Sequence, residues 1–307
     1  MSVDILAIAA MVLIVFLIGL GLGKLPVLRL PRAYSIAVVG YPRSGKTFLI
    51  TATFAELFSN RISGSLIVPR GKATIEKINR DLAAIDIGKP VGPTTDQDLF
   101  AYRADLLRGR FPFRRTYKIE IGDFPGEDSR EFAEKFGDWF HETPYFKWAM
   151  EANAFVFVID LAPFLSSKDK SEYVARMTRA IRAAWQHLLE YHLEGRRDLK
   201  NKPVCVIFTK TDLLQRYEPP LASAASQETS EEITKYGFEV IEPLNITDKE
   251  FEVDQSVKHK IANLFSEIID YLRQQSSKCE VIFVSAITRT KQGRLGIKDF
   301  LKHILPD

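Results

Sequence analysis

Eight consecutive residues, Gly40-Tyr41-Pro42-Arg43-Ser44-Gly45-Lys46-Thr47, have the composition of a loop that wraps phosphate. Gly40 and Gly45 let main-chain N–H groups curl around an anion. Lys46 reaches the β/γ oxygens of a nucleotide, and the Thr47 hydroxyl is a ligand for Mg²⁺. The chemistry needs a strand before this loop and a helix after it. Tyr34 to Val39 reads as a buried strand, and the run from Thr47 and Phe48 to Phe54 continues as a helix.

Further apolar runs suit the interior strands of a sheet covered on both faces. They are Ala154–Asp160 (AFVFVID), Pro203–Phe208 (PVCVIF) and Val281–Val284 (VIFV). Leu99–Leu107 and Thr116–Ile121 read as two more strands, joined by the basic turn Arg108-Gly109-Arg110. Helical spacing marks Thr74–Asp86, with Ile75, Ile78, Leu82 and Ile85 on one face. It also marks Ser171–Glu194, a single helix from Val257 to Leu272, and a closing helix from Ile297 to Leu305. Strands alternating with helices predict an α/β fold, a doubly wound and mostly parallel sheet flanked by helices, with ligands at the carboxyl ends of the strands.

The net charge of +3 is too small to argue for nucleic-acid binding. Cys205 and Cys279 both lie in apolar runs, as buried small hydrophobes in a reducing compartment would. The histidines lack metal-ligand spacing; His187 and His192 share a helix as structural or surface residues. Residues 1–33 read as an N-terminal transmembrane anchor and basic linker. Ile5 to Leu22 is uninterruptedly apolar over 18 residues, the lower bound for a bilayer-spanning helix. Lys24, Arg29 and Arg32 follow it, which orients a single-pass protein with its C-terminal part in the cytosol. Residues 34–307 then form one domain, with insertions near 60–93 and 213–254.

Three short groups stand at the ends of predicted strands: Asp123-Phe124-Pro125-Gly126, Thr209-Lys210-Thr211-Asp212 and Ser285-Ala286. With the phosphate loop, their order resembles the small-GTPase branch of the P-loop proteins, the Ras/Arf-like fold. The resemblance implies that Asp123 holds Mg²⁺ through water and that the Gly126 N–H senses the γ-phosphate. It implies that Asp212 accepts hydrogen bonds from N1–H and the 2-amino group of guanine, with the Lys210 stem along the purine face and Thr209 opening the element. Adenine offers a bare N1 lone pair and no 2-amino group, so such a site rejects it by about 10⁴-fold or more. Ser285-Ala286 resembles the element whose backbone N–H contacts guanine O6. Gly92-Pro93-Thr94-Thr95-Asp96 resembles the first switch, with Thr94, or Thr95 as the alternate, on Mg²⁺ and the γ-phosphate.

Glu127 occupies the position where many relatives carry the glutamine that orients the attacking water. A carboxylate there can act as a base, but the γ-phosphate repels it. GTP hydrolysis, with Lys46, Glu127 and Thr94 as the expected catalytic residues, should therefore be slow, at or below roughly 10⁻⁴ s⁻¹ unaided. Arg43, Arg70, Arg114 and Arg115 are candidates for an arginine acting on the transferred phosphate. Phe132, Phe136 and Phe140 pack on the sheet in this reading, while Trp139 or Trp148 meets a cytosolic partner. The expected activity is a slow GTPase acting as a nucleotide-dependent switch at a membrane, similar in layout to the beta subunit of the signal-recognition-particle receptor. The alternatives are a GTP-binding scaffold without turnover and a P-loop ATPase.

Overall fold

The computed structural model describes residues 2–23, 31–41, 43–59, 65–86, 100–109, 115–123, 148–194, 199–216, 253–290 and 293–306. Its centre is a seven-stranded sheet in the order β2-β3-β4-β1-β5-β6-β7. The strands are β1 (Arg32–Gly40), β2 (Ser65–Pro69), β3 (Phe100–Arg108), β4 (Arg115–Asp123), β5 (Ala154–Asp160), β6 (Val204–Thr209) and β7 (Cys279–Phe283). Neighbours from β4 through β7 pair in parallel, whereas β3 runs antiparallel to both β2 and β4. All residues of β5 and β6 are buried, as their unbroken apolar runs require for strands covered on both sides.

Alternation along the strands divides the core in two. Ala37, Val39, Phe155, Phe157, Val206 and Phe208 face one layer. Against it pack Trp185 of α5 (Lys170–Glu194), Ile261 of α6 (Gln255–Leu264) and Leu272 of α7 (Ser266–Gln275). Ile36, Val38, Val156, Val158, Cys205 and Ile207 face the other layer. That layer holds Leu49 and Phe54 of α2 (Lys46–Phe58), Ile78 of α3 (Lys72–Asp86) and Phe300 of α8 (Ile297–Ile304). A short helix, α4 (Leu161–Ser166), follows β5 directly, and a two-stranded hairpin, β8 (Arg289–Thr290) with β9 (Gly293–Arg294), precedes α8.

Three expectations need correction, and one strand was not read from the sequence. The segment before α3 forms an edge strand, β2, on which Ile67 is buried and Leu66 and Val68 are exposed. On α3 the buried stripe is Thr74, Ile78, Asp81 and Ile85, so Ile75 points outward. Asp81 tolerates that position because Lys77 Nζ and Arg80 Nε lie 3.4 Å from its carboxylate and the Tyr102 hydroxyl donates to it at 3.5 Å. The single helix over Val257–Leu272 breaks in two at Phe265, whose backbone sits at φ −100°, ψ 15°. Phe265 turns in against Phe208, 5.2 Å between ring centroids, and Phe164, 6.0 Å.

The third correction concerns the N-terminus. Residues Ser2–Gly23 form a helix, α1, with its apolar side chains exposed from Ile8 to Ile18. Among the described residues, however, no helix is long and apolar enough to cross a membrane. The 18-residue apolar run offers only the minimum length for a crossing. The single-pass placement, and the cytosolic orientation built on it, are therefore not supported. The likeness in layout to the receptor subunit rested on the same anchor and goes with it.

Candidate functional site

The loop after β1 is shaped by two glycines with different tasks. A Cβ on Gly40 would lie 2.9 Å from Val158 Cβ and from Ser44 Oγ, so only glycine lets β1 pass this close to β5. Gly45 takes φ +86° at the start of α2, a conformation that costs a residue with a Cβ about 1–2 kcal/mol. Arg43 is also left-handed, at φ 61°, with its side chain exposed. Lys46 is buried, and its ammonium donates to the carbonyls of Gly40 at 3.0 Å and Tyr41 at 2.8 Å. Thr47 and Phe48 follow in the first turn of α2. The orphan N–H groups of that turn and the positive helix end favour an anion there.

The Tyr41 ring leaves the loop toward α5, where the Arg176 guanidinium lies 5.9 Å from its centroid and 5.5 Å from that of Tyr173. Burial raises the Tyr41 pKa, and the charges of Arg176 and Arg179 oppose the rise. The Tyr173 hydroxyl, its pKa also raised chiefly by burial, donates to the Asp160 carbonyl at 2.6 Å. Arg176 thus stands closer to the loop than sequence proximity suggests. Of the arginines proposed for the transferred phosphate, Arg70 pairs with Asp105 at 3.4 Å on the sheet. Arg115 opens β4, at the opposite end from the loop. The position of Arg114 lies outside the described residues.

The turn after β6 is bound directly to the phosphate loop. The buried Thr209 hydroxyl donates to the Ser44 carbonyl at 2.7 Å. Lys210 is left-handed, φ 58°, and its ammonium meets Asp160 Oδ2 at 2.6 Å and the Arg43 carbonyl at 3.4 Å. Asp160 is held for this task, because its other oxygen caps α4 by accepting from the Ala162 N–H at 2.9 Å. Thr211 turns back, its hydroxyl on the Phe208 carbonyl at 3.0 Å and its N–H on the Val284 carbonyl at 3.2 Å. Asp212 then projects toward the loop after β7, where the Ser285 hydroxyl donates to its Oδ1 at 2.6 Å. Burial raises the Asp212 pKa; the Ser285 hydrogen bond and the Lys210 charge pull it back. Ser285 is itself oriented by Thr288, whose N–H donates to its hydroxyl at 3.1 Å.

The structure therefore brings Gly40, Tyr41, Arg43 to Thr47, Thr209–Asp212 and Ser285–Ala286 together at the carboxyl ends of β1, β6 and β7. Asp123 closes β4 one residue beyond Gly122, which pairs with Ala37 of β1, so its backbone reaches the same end. A mostly parallel sheet in this strand order, with this loop and polar constellation, fits a GTPase-like P-loop fold. The sequence profile of the Double-GTPase 2 family matches residues 34–272. The chain belongs to that family. Comparison with curated proteins gives no match.

As a Double-GTPase 2 protein, the chain is a GTP-binding protein of GTPase-like P-loop fold. Pro42, Thr94, Thr95, Gly126 and Glu127 lie outside the described residues, as do Trp139 and the phenylalanines at 132, 136 and 140. Trp148 is described and packs, half-buried, against the α5 side of the core. Asp160 and Arg294 were not singled out from sequence. Asp160 had a local signal, an acidic residue ending the AFVFVID run abreast of Thr209. Arg294 had none, since only the hairpin fold carries it to Ala286, whose carbonyl accepts from its Nη1.

Proposed function

We propose that this protein binds GTP and GDP with Mg²⁺, hydrolyses GTP slowly, and uses the bound nucleotide to switch its grip on a protein partner. In this reading residues 34–307 are the GTPase domain, and Ser65–Asp86 belongs to its first insertion. Main-chain N–H groups of 40–47 and the Lys46 ammonium bind the phosphates, while Lys210, Asp212, Ser285 and Ala286 hold the guanine. The observation that carries the reading is the Asp212 carboxylate, supported by the Ser285 hydroxyl and tied through Thr209 to the phosphate loop. A carboxylate in that position matches the two adjacent donors that guanine presents and repels the lone pair of adenine.

Among the described residues no group of three or more His, Cys, Asp or Glu could hold a metal alone. Mg²⁺ needs only one or two protein oxygens, the rest of its shell coming from nucleotide phosphates and water. Thr47 and Asp123 would hold it from the chain, with Thr94 joining when the γ-phosphate is present. Bound there, the ion neutralises charge on the phosphate oxygens. The chain's part is positioning: Lys46 near the β/γ bridge, and Glu127 beside the water.

A second reading, a GTP-binding scaffold without turnover, is favoured by one observation: Glu127 replaces the amide that orients the attacking water. Single-turnover hydrolysis of GTP separates the two. Base recognition is tested by displacing labelled GTP with GDP and ATP. GDP should displace it at concentrations about 10⁴-fold lower than ATP. Near-equal displacement would leave a P-loop ATPase and overturn the reading.

A further inference from the structure

Asp86, the last residue of α3, meets two guanidinium groups. Arg289 Nη2 donates to its Oδ1 at 2.6 Å, and Arg294 Nη2 donates to the same oxygen at 3.1 Å. The two arginines face each other across the β8–β9 hairpin. Like charges placed directly opposite repel, and the shared carboxylate offsets that repulsion. Arg294 is 4 % exposed, so its charge is almost fully withdrawn from water. Its main-chain N–H donates to Glu56 Oε1 of α2 at 2.9 Å, and its Nη1 donates to the Ala286 carbonyl. Ala286 follows Ser285, whose hydroxyl rests on Asp212. A run of polar contacts therefore connects the end of the inserted helix to the base-reading loop.

We propose that Asp86 and Arg294 are positioning residues for purine recognition, holding the Ala286 peptide where its loop meets guanine O6. The proposal rests on the guanine-binding reading. Without Asp86, a buried guanidinium would stand beside a second one, with Glu56 the remaining acidic neighbour at its main chain. Desolvation and repulsion would then drive Arg294 outward, and the Ala286 carbonyl would lose the donor that orients it. Asp212 would keep its own hydrogen bond from Ser285. The inserted helix thus contributes to the O6 edge of the base and not to the N1 and 2-amino edge.

Three nucleotides separate these edges. GDP offers O6, N1–H and the 2-amino group. 6-Thio-GDP keeps both donors but replaces O6 by a poorer acceptor, and IDP keeps O6 and N1–H but lacks the 2-amino group. Dissociation constants for all three are measured by titration calorimetry on the wild-type chain and on Asp86→Asn and Arg294→Lys. The wild type should bind GDP more tightly than either analogue. In both variants GDP affinity should fall about tenfold, within the usual range of site-to-site coupling. The GDP-to-6-thio-GDP ratio should collapse toward one, while the GDP-to-IDP ratio persists. Asp86→Glu should restore part of the lost ratio. Ratios are read on the folded fraction, so partial unfolding does not imitate the result. The proposal is overturned if the 6-thio ratio is absent in the wild type or survives Asp86→Asn, or if all three nucleotides weaken equally. Failure of the guanine reading itself would be seen separately, as a wild type that holds ADP as firmly as GDP.

Discussion

Asp212→Asn should move nucleotide affinity and thermal stability in opposite directions. The carboxylate has one oxygen engaged by Ser285 at 2.6 Å, which leaves capacity for two donors from guanine. Hydrogen bonds to a charged acceptor contribute about 1.5–3 kcal/mol each. The asparagine amide would also point a donor at a donor. The combined loss is about 3–6 kcal/mol, or roughly 10²- to 10⁴-fold in GDP affinity at 1.4 kcal/mol per decade. XDP carries an oxygen where guanine carries the 2-amino group, so the variant's amide should recover much of that loss with XDP.

Stability runs the other way. Burial raises the Asp212 pKa above 3.8, so the folded chain keeps a proton that the unfolded chain has released. Stability of the nucleotide-free protein then falls as pH rises through that window and stays lowered above it. Asparagine removes the penalty, and the variant should melt no lower than the parent at neutral pH. Its GDP affinity should also lose the decline that the parent shows as pH drops through the raised pKa. Fluorescence displacement with GDP, XDP and ADP, together with thermal melts from about pH 3, below the ordinary carboxylate value, to about pH 8, reads all of this. A variant that binds GDP like the parent, or that gains ADP and XDP equally, would refute the placement of Asp212 against the base.

Lys46→Ala should abolish measurable GTP binding while leaving the fold intact, because the ammonium's bonds to Gly40 and Tyr41 carbonyls face the loop and not the core; calorimetry and circular dichroism check the two halves. Gly40→Ala should lower the melting temperature markedly, since its Cβ meets Val158 Cβ at 2.9 Å and overpacking costs about 1–3 kcal/mol. Thr209→Val should leave the Ser44 carbonyl without its 2.7 Å donor, costing about 1–3 kcal/mol and speeding release of labelled GDP in stopped-flow. Native Cys205 and Cys279 should resist iodoacetamide at pH 8, about three decades below the Cys279 pKa of about 11 that burial imposes. Mass spectrometry should find both thiols alkylated only after denaturation.

Much of the fold is written locally. β1, β5 and β6 announce themselves as apolar runs because interior parallel strands have no wet face. The phosphate loop is equally legible, since its glycines and lysine are adjacent in the chain. What escapes is whatever depends on distant segments arriving together. Nothing near Arg294 tells that a two-residue hairpin turns it onto Ala286, and nothing near Asp86 tells that it receives two arginines. Asp81 defeats the helix-face reading because its partners, Tyr102 and Lys77, make a carboxylate acceptable at a core position. Phe265 interrupts a regular helical period for a tertiary reason, the rings of Phe208 and Phe164. At the N-terminus, hydropathy identifies a helix but does not by itself establish that the helix crosses a bilayer.

In the GTP-binding reading, the buried hydroxyl of Thr209, resting on the Ser44 carbonyl, would make the phosphate and base ends of the nucleotide mechanically dependent. An exchange catalyst that prised open the loop around the phosphates would drag the purine cradle with it, and one levering the cradle would disturb the phosphates. Release would then proceed in one concerted step from either side, so a regulator needs a foothold on only one rim to empty the whole cleft.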